Sequence, residues 1–106
     1  MGQKPWIINS TILKNIVLNE AIDQDRLERA LYESCLKEDI ESIKNGLLGE
    51  AGQGGEKLSG GQKVRVALAR MAYQEYPTVL LDDVLSSVDL EVGKEIMRRG
   101  TEGWMK

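Results

Sequence analysis

A chain of 106 residues is long enough for one small domain or part of a larger one. Its 42% apolar and 29% charged residues are ordinary for a folded protein, and a net charge of -3 argues against a nucleic-acid-binding surface, which normally carries a basic stripe. The single cysteine, Cys35, excludes an internal disulfide framework or cysteine-based metal site and fits a reducing, intracellular setting. No stretch approaches a transmembrane helix and no signal peptide opens the chain. Met1-Gly2 resembles an acylation start, but Trp6 stands where Ser or Thr is required.

In chain order, residues 3–9 contain Pro5 and read as extended, because the residue before proline is biased away from helix. Asn9-Ser10-Thr11 is a cluster of capping residues, followed at helical spacing by Ile12, Leu13, Ile16 and Val17. Asp23 or Asp25 caps a second helix running to about Leu36, with Leu27, Ala30 and Leu31 facing inward. Cys35 reads as a small buried side chain on this helix. Asp39 starts a third short turn through Lys44.

Residues 46–61 hold seven glycines, a composition that by itself describes a flexible linker. Glu50, Gln53, Glu56 and Lys57 punctuate the run, which ends on a helix-start pattern instead of more linker. A helix follows from Gln62 to about Tyr73. Its basic residues Lys63, Arg65 and Arg70 read as a solvated face. After Tyr76-Pro77, the apolar run Thr78-Val79-Leu80-Leu81 fits a strand buried on both faces of a parallel sheet. A last helix spans about Leu90 to Arg99, with Val92, Ile96 and Met97 on one side, and Gly100 ends it. Trp6 reads as a packing anchor and Trp104 as part of an exposed tail.

The most informative stretch is Leu58-Ser59-Gly60-Gly61-Gln62, feeding the Arg65 to Arg70 run. A bare-backbone turn into a helix gathers unpaired N–H groups and roughly half a unit of positive charge, so it attracts phosphate. Gly60 and Gly61 permit close approach of an anion, and Ser59 offers a hydroxyl. Further on, the apolar run ends in Asp82, the usual placement of a carboxylate near a phosphate-bound magnesium ion.

With these motifs in this order, the chain resembles the nucleotide-binding domain of ABC transporters, most closely the first ATPase half of the multidrug-resistance-associated branch. The resemblance runs from Gln3 to about Arg99. Leu58–Gln62 is similar to the family's signature motif, and Gln3 with Pro5-Trp6-Ile7 and Asn9-Ser10-Thr11-Ile12 to its Q-loop and membrane-domain-contacting segment. Gly49-Glu50-Ala51-Gly52 resembles the acidic turn before the signature in exporters. Val79-Leu80-Leu81-Asp82 resembles Walker B, and Ser86-Ser87-Val88-Asp89 the D-loop.

The resemblance implies an α/β fold, a partial P-loop NTPase domain made mostly of the helical signature subdomain plus the Walker B strand. It divides the chain into a Q-loop (3–9), a helical subdomain (10–57), the signature and its helix (58–75), a Walker B strand with D-loop and helix (78–99), and a tail (100–106). It implies ATP and Mg2+ as cofactors. Gln3 would sense the γ-phosphate and metal, and Asp82 would hold magnesium through water. Ser59 and the Gly60 and Gly61 amides, flanked by Leu58 and Gln62, would bind an ATP held by the opposite ATPase half. Ser86 and Asp89 would lie at the seam between halves. The implied partners are a second ATPase half and the transmembrane domains of a parent transporter, with no nucleic acid. The implied location is the cytoplasmic face of a membrane.

Departures from the pattern matter. The sequence has no G-x-x-x-x-G-K-[ST] loop, so this chain by itself does not hold ATP in the family manner. It has no histidine and hence no switch histidine. Both absences fit a fragment of a longer protein, inactive alone. Asp83 stands at the catalytic-glutamate position, one methylene short of it, and a general base must come within about 3 Å of the attacking water or reach it through one. Val84 replaces the usual proline and Gln53 a second acid of the pre-signature turn. The competing assignments are a soluble chromosome- or ribosome-associated ATPase sharing the signature, and a truncated, non-enzymatic interaction module.

Overall fold

The computed structural model describes residues 7–75 and 90–102. Among them the regular elements are all helices, with one isolated antiparallel bridge between Thr11 and Glu50. The expected strand at 78–81 lies outside the described residues.

Helix α1, Ile12–Val17, is six residues long, too short to be stable without tertiary packing. Thr11 Oγ1 accepts from the Lys14 N–H at 3.1 Å to cap it, and Ile12, Asn15, Ile16 and Val17 are buried. Helix α2, Gln24–Glu33, is capped by Asp23, whose carboxylate accepts from the Arg26 N–H at 3.2 Å. Its Leu27, Ala30 and Leu31 recur on one face and all reach the core.

The end of α2 is a Schellman turn. The Leu36 N–H donates to the Leu31 carbonyl and the Cys35 N–H to the Tyr32 carbonyl, with Cys35 left-handed at φ 62°. Cys35 therefore sits past the helix end and is half-buried, not enclosed on a helix as expected.

Helix α3, Lys37–Ser42, begins before Asp39 instead of at it. The reason is long-range: the Asp39 carboxylate accepts from Arg65 Nε at 2.6 Å and Nη2 at 3.3 Å, so it is not a cap.

The glycine-rich stretch is folded, not a linker. It forms two 3-10 turns, Gly46–Leu48 and Gln53–Gly55. Its backbone pairs with the chain start: the Ile12 N–H donates to the Gly49 carbonyl at 3.0 Å and the Ala51 N–H to the Ser10 carbonyl at 2.9 Å. Gly55 has φ +79° and lies so close to Ile7 that an added Cβ would stand 3.1 Å from Ile7 Cβ. Only glycine meets both conditions.

Helix α4, Gly60–Gln74, is the central element. It packs against α1 and α2 and buries nine consecutive or near-consecutive residues from Val64 to Tyr73. Tyr73, Leu68 and Val66 are fully enclosed, each large apolar side chain removed from water contributing roughly 1.5–3 kcal/mol.

Its arginines are not a solvated face. Arg70 is 7% exposed, and Arg65 is held in the ion pair with Asp39. Helix α5, Leu90–Thr101, packs on α2, with Arg99 donating from Nη1 to the Tyr32 carbonyl at 2.7 Å, and Ile96 is buried within it. It runs through Gly100, which is buried within it instead of ending it. Met97 turns outward.

Candidate functional site

Residues 58–62 form the entrance to α4, and every feature of the entrance is local chemistry on a fixed base. Leu58 is 7% exposed and belongs to the apolar core, anchoring the loop. Ser59 is extended, at φ -67° and ψ 165°, and starts a complete capping box. Its hydroxyl accepts from the Gln62 N–H at 3.1 Å, while Gln62 Oε1 accepts from the Ser59 N–H at 3.0 Å. The Gln62 side chain is thus folded back onto the cap.

Ser59, Gly60 and Gly61 are exposed. The first N–H groups of a helix have no partner within it. With Gln62 capped, the N–H groups of Gly60 and Gly61 remain to face solvent at the positive end of a 15-residue helix. Nothing lies within 4 Å of where a Gly60 Cβ would be, whereas a Gly61 Cβ would stand 3.1 Å from Arg65 Nη1. The loop therefore presents two amide donors and a hydroxyl with a guanidinium packed against its flank. That donor set fits an anionic oxygen.

A second feature ties this entrance to the start of the chain. Asn15, fully buried, donates from Nδ2 to the carbonyls of Ile8 at 3.1 Å and Thr11 at 2.9 Å, and accepts at Oδ1 from the Ile8 N–H at 2.8 Å. Arg70 of α4 donates from Nε to the Asn15 carbonyl at 2.7 Å and from Nη2 to Asn15 Oδ1 at 3.1 Å. Further along α4 and apart from the Asn15 cluster, Tyr73 donates its hydroxyl to the Ala21 carbonyl, and Gln74 donates to the carbonyls of Ile16 and Val17. Sequence reasoning missed this network. Its faint signal is a polar Asn on the apolar face Ile12, Ile16, Val17, and an arginine in a run of Val, Ala and Leu.

The structure brings together Leu58–Gln62, and it sets the Ser10–Ile12 segment beside Gly49–Ala51. Gln3, Asp82, Asp83, Ser86 and Asp89 lie outside the described residues. Among the described residues, no helix is long and apolar enough to cross a membrane.

A family model described as "ABC transporter" matches residues 2–86, and the chain belongs to that family. The chain is 42% identical over 107 residues to "Vacuolar heme ABC transmembrane exporter abc3" of Schizosaccharomyces pombe, an alignment covering 99% of this chain and 7% of that protein. It is 45% identical over 97 residues to "Multidrug resistance protein mrp-7" of Caenorhabditis elegans, covering 92% of this chain and 6% of the relative. It is 42% identical over 106 residues to human "ATP-binding cassette sub-family C member 2", covering 98% and 7%. The chain spans 7% or less of the length of these relatives. Its fold is similar to that of a bacterial Atm1-family ABC exporter solved with ATP bound, with a TM-score of 0.81 at 25% identity over 97% of this chain and 18% of that one.

Proposed function

We propose that this chain is part of the ATP-binding and hydrolysing domain of an ABC-type membrane transporter. Its principal contribution is Leu58–Gln62, offered to an ATP held by a second ATPase half. The observation that carries this reading is the α4 entrance: two outward amides and a capped serine on a core-anchored loop, in a chain of this family. In this reading the phosphate cradle for that ATP belongs to the partner half, and this chain contributes the amides and hydroxyl of the α4 entrance.

Within its own half, Asp82 would hold Mg2+ and Gln3 would sense the metal and γ-phosphate, the ion supplying charge neutralisation of the phosphates. Asp83 makes that site hydrolytically weak, while Ser86 and Asp89 line the seam between halves. The transmembrane domains dock beside the Asn9–Ile12 segment. The competent ATP site is the one that the signature of this chain completes.

The test is Ser59→Arg or Gly60→Asp in the full-length transporter that carries this chain. Both variants place bulk or like charge where the phosphate binds, and ATP hydrolysis is expected to be lost with the protein still folded. Hydrolysis at the unmodified rate would refute the assignment.

A further inference from the structure

We propose that Arg70 and Asn15 are positioning residues for the phosphate-contacting loop, fixing the direction of α4 against the segment that follows Gln3. The inference rests on the assignment of Ser59–Gly61 to a partner-held ATP and adds what aims that loop.

The argument is one of closure. Residues 8–11 are bonded to Asn15, whose amide accepts from and donates to Ile8 and donates to Thr11. The same segment pairs with Gly49 and Ala51 through the N–H groups of Ile12 and Ala51. From Ala51 the chain passes by a 3-10 turn to Leu58, and the Lys57 N–H bonds back to the Ala51 carbonyl at 3.0 Å. Leu58 leads into α4, which returns through Arg70 to Asn15. The loop at the start of α4 and a point well along the same helix are therefore fixed to one short segment. Arg70 lies about 15 Å along the axis from Gly60 at the helical rise per residue. A helix held at one end alone can pivot; one held at both ends by the same body cannot.

The choice of residues supports a geometric role over a purely cohesive one. A buried guanidinium carries a desolvation penalty, and an apolar side chain of similar volume commonly serves stability equally well. Arginine adds direction: its planar fork reaches the Asn15 carbonyl and Oδ1 together, which a lysine ammonium cannot reproduce.

The experiment uses the full-length transporter with four variants, reading ATPase rate against ATP concentration and the thermal unfolding midpoint. Arg70→Lys keeps the charge and loses the fork. Asn15→Asp keeps both acceptor contacts and loses the donations to Ile8 and Thr11. Tyr73→Phe is the control: on the same helix, it removes the hydroxyl that bonds Ala21 and accepts from the Asp23 N–H, without touching residues 8–11. Ser59→Arg reports on the site itself. Arg70→Lys and Asn15→Asp are expected to raise the half-saturating ATP concentration about fivefold, while Tyr73→Phe leaves it within about twofold despite a similar fall in midpoint. Equal shifts in all three, or a shift in none, overturn the positioning role. If Ser59→Arg abolishes hydrolysis while Arg70→Lys behaves like the control, only this inference fails. If Ser59→Arg hydrolyses ATP normally, the site assignment itself fails.

Discussion

Two adjacent glycines at the start of α4 have opposite surroundings, and this separates stability from function at single-residue resolution. Space is open around Gly60, and its backbone is helical, so Gly60→Ala should stabilise the fold by about 0.5–1 kcal/mol. The new methyl group nevertheless intrudes on the approach to the amides, so ATPase activity of the full-length transporter should fall. Thermal unfolding and a hydrolysis assay on the same variant check both halves of this expectation. At Gly61 the methyl would press on the Arg65 guanidinium, which Asp39 holds in place. Gly61→Ala should therefore lower stability by about 1 kcal/mol, and loss of the midpoint shift in an Asp39→Ala background would identify the ion pair as the cause. Cys35 belongs at this scale too. Burial pushes its thiol above the ordinary value, with Arg99 opposing, so alkylation at neutral pH should be slower than for an exposed peptide cysteine and should accelerate on unfolding.

At the scale of elements, helix ends decide more than helix interiors. Ser59→Ala removes one arm of the capping box and is expected to cost about 1 kcal/mol, measurable as a lowered unfolding midpoint. On α5, hydrogen bonds from Arg98 and then Arg99 hold the Glu95 carboxyl at about 2, below the ordinary 4.5. Because the folded value is depressed, the carboxylate stabilises the fold above pH 4.5 and loses that effect as pH falls toward 2. Glu95→Gln should flatten this part of the pH–stability curve; an unchanged curve would show that the pairs do not contribute.

Elements were legible in the sequence where their determinants are local. The α2 cap and apolar face depend on residues three or four apart, and α4 was read from Gln62 although its Ser59 cap starts it at Gly60. The start of α3 was not legible, because Asp39 answers to Arg65 across 26 positions. In the glycine-rich stretch, polar punctuation and a helix-start ending spoke against a linker, but the backbone pairing with Ser10 and Ile12 that orders it is not visible in composition. Arg70 looked solvated because its partner, Asn15, is 55 positions away. The same division holds around the candidate site: Leu58–Gln62 stands out as a short motif, while the Asn15–Arg70 hydrogen bonds span 55 positions and leave no local pattern.

For the whole molecule, an apolar cluster joins the chain start, α1, α2, the glycine-rich stretch and α4, while Leu68 of α4 and Ile96 of α5 are buried outside it. The 106 residues should show no ATPase activity alone, since the proposed site needs a nucleotide held elsewhere. A radioactive-phosphate release assay on the purified chain checks this, and turnover above buffer would contradict the division of labour proposed here.

The Ser59 cap has one more consequence. The oxygen receives the Gln62 N–H, and that arrangement uses a lone pair while leaving the hydroxyl's own hydrogen uncommitted. The group can therefore donate outward to a nucleotide without surrendering the helix end behind it. The capping box sets the first turn of α4 from within the chain, so the proposed contact with an opposite half would begin from a surface already formed.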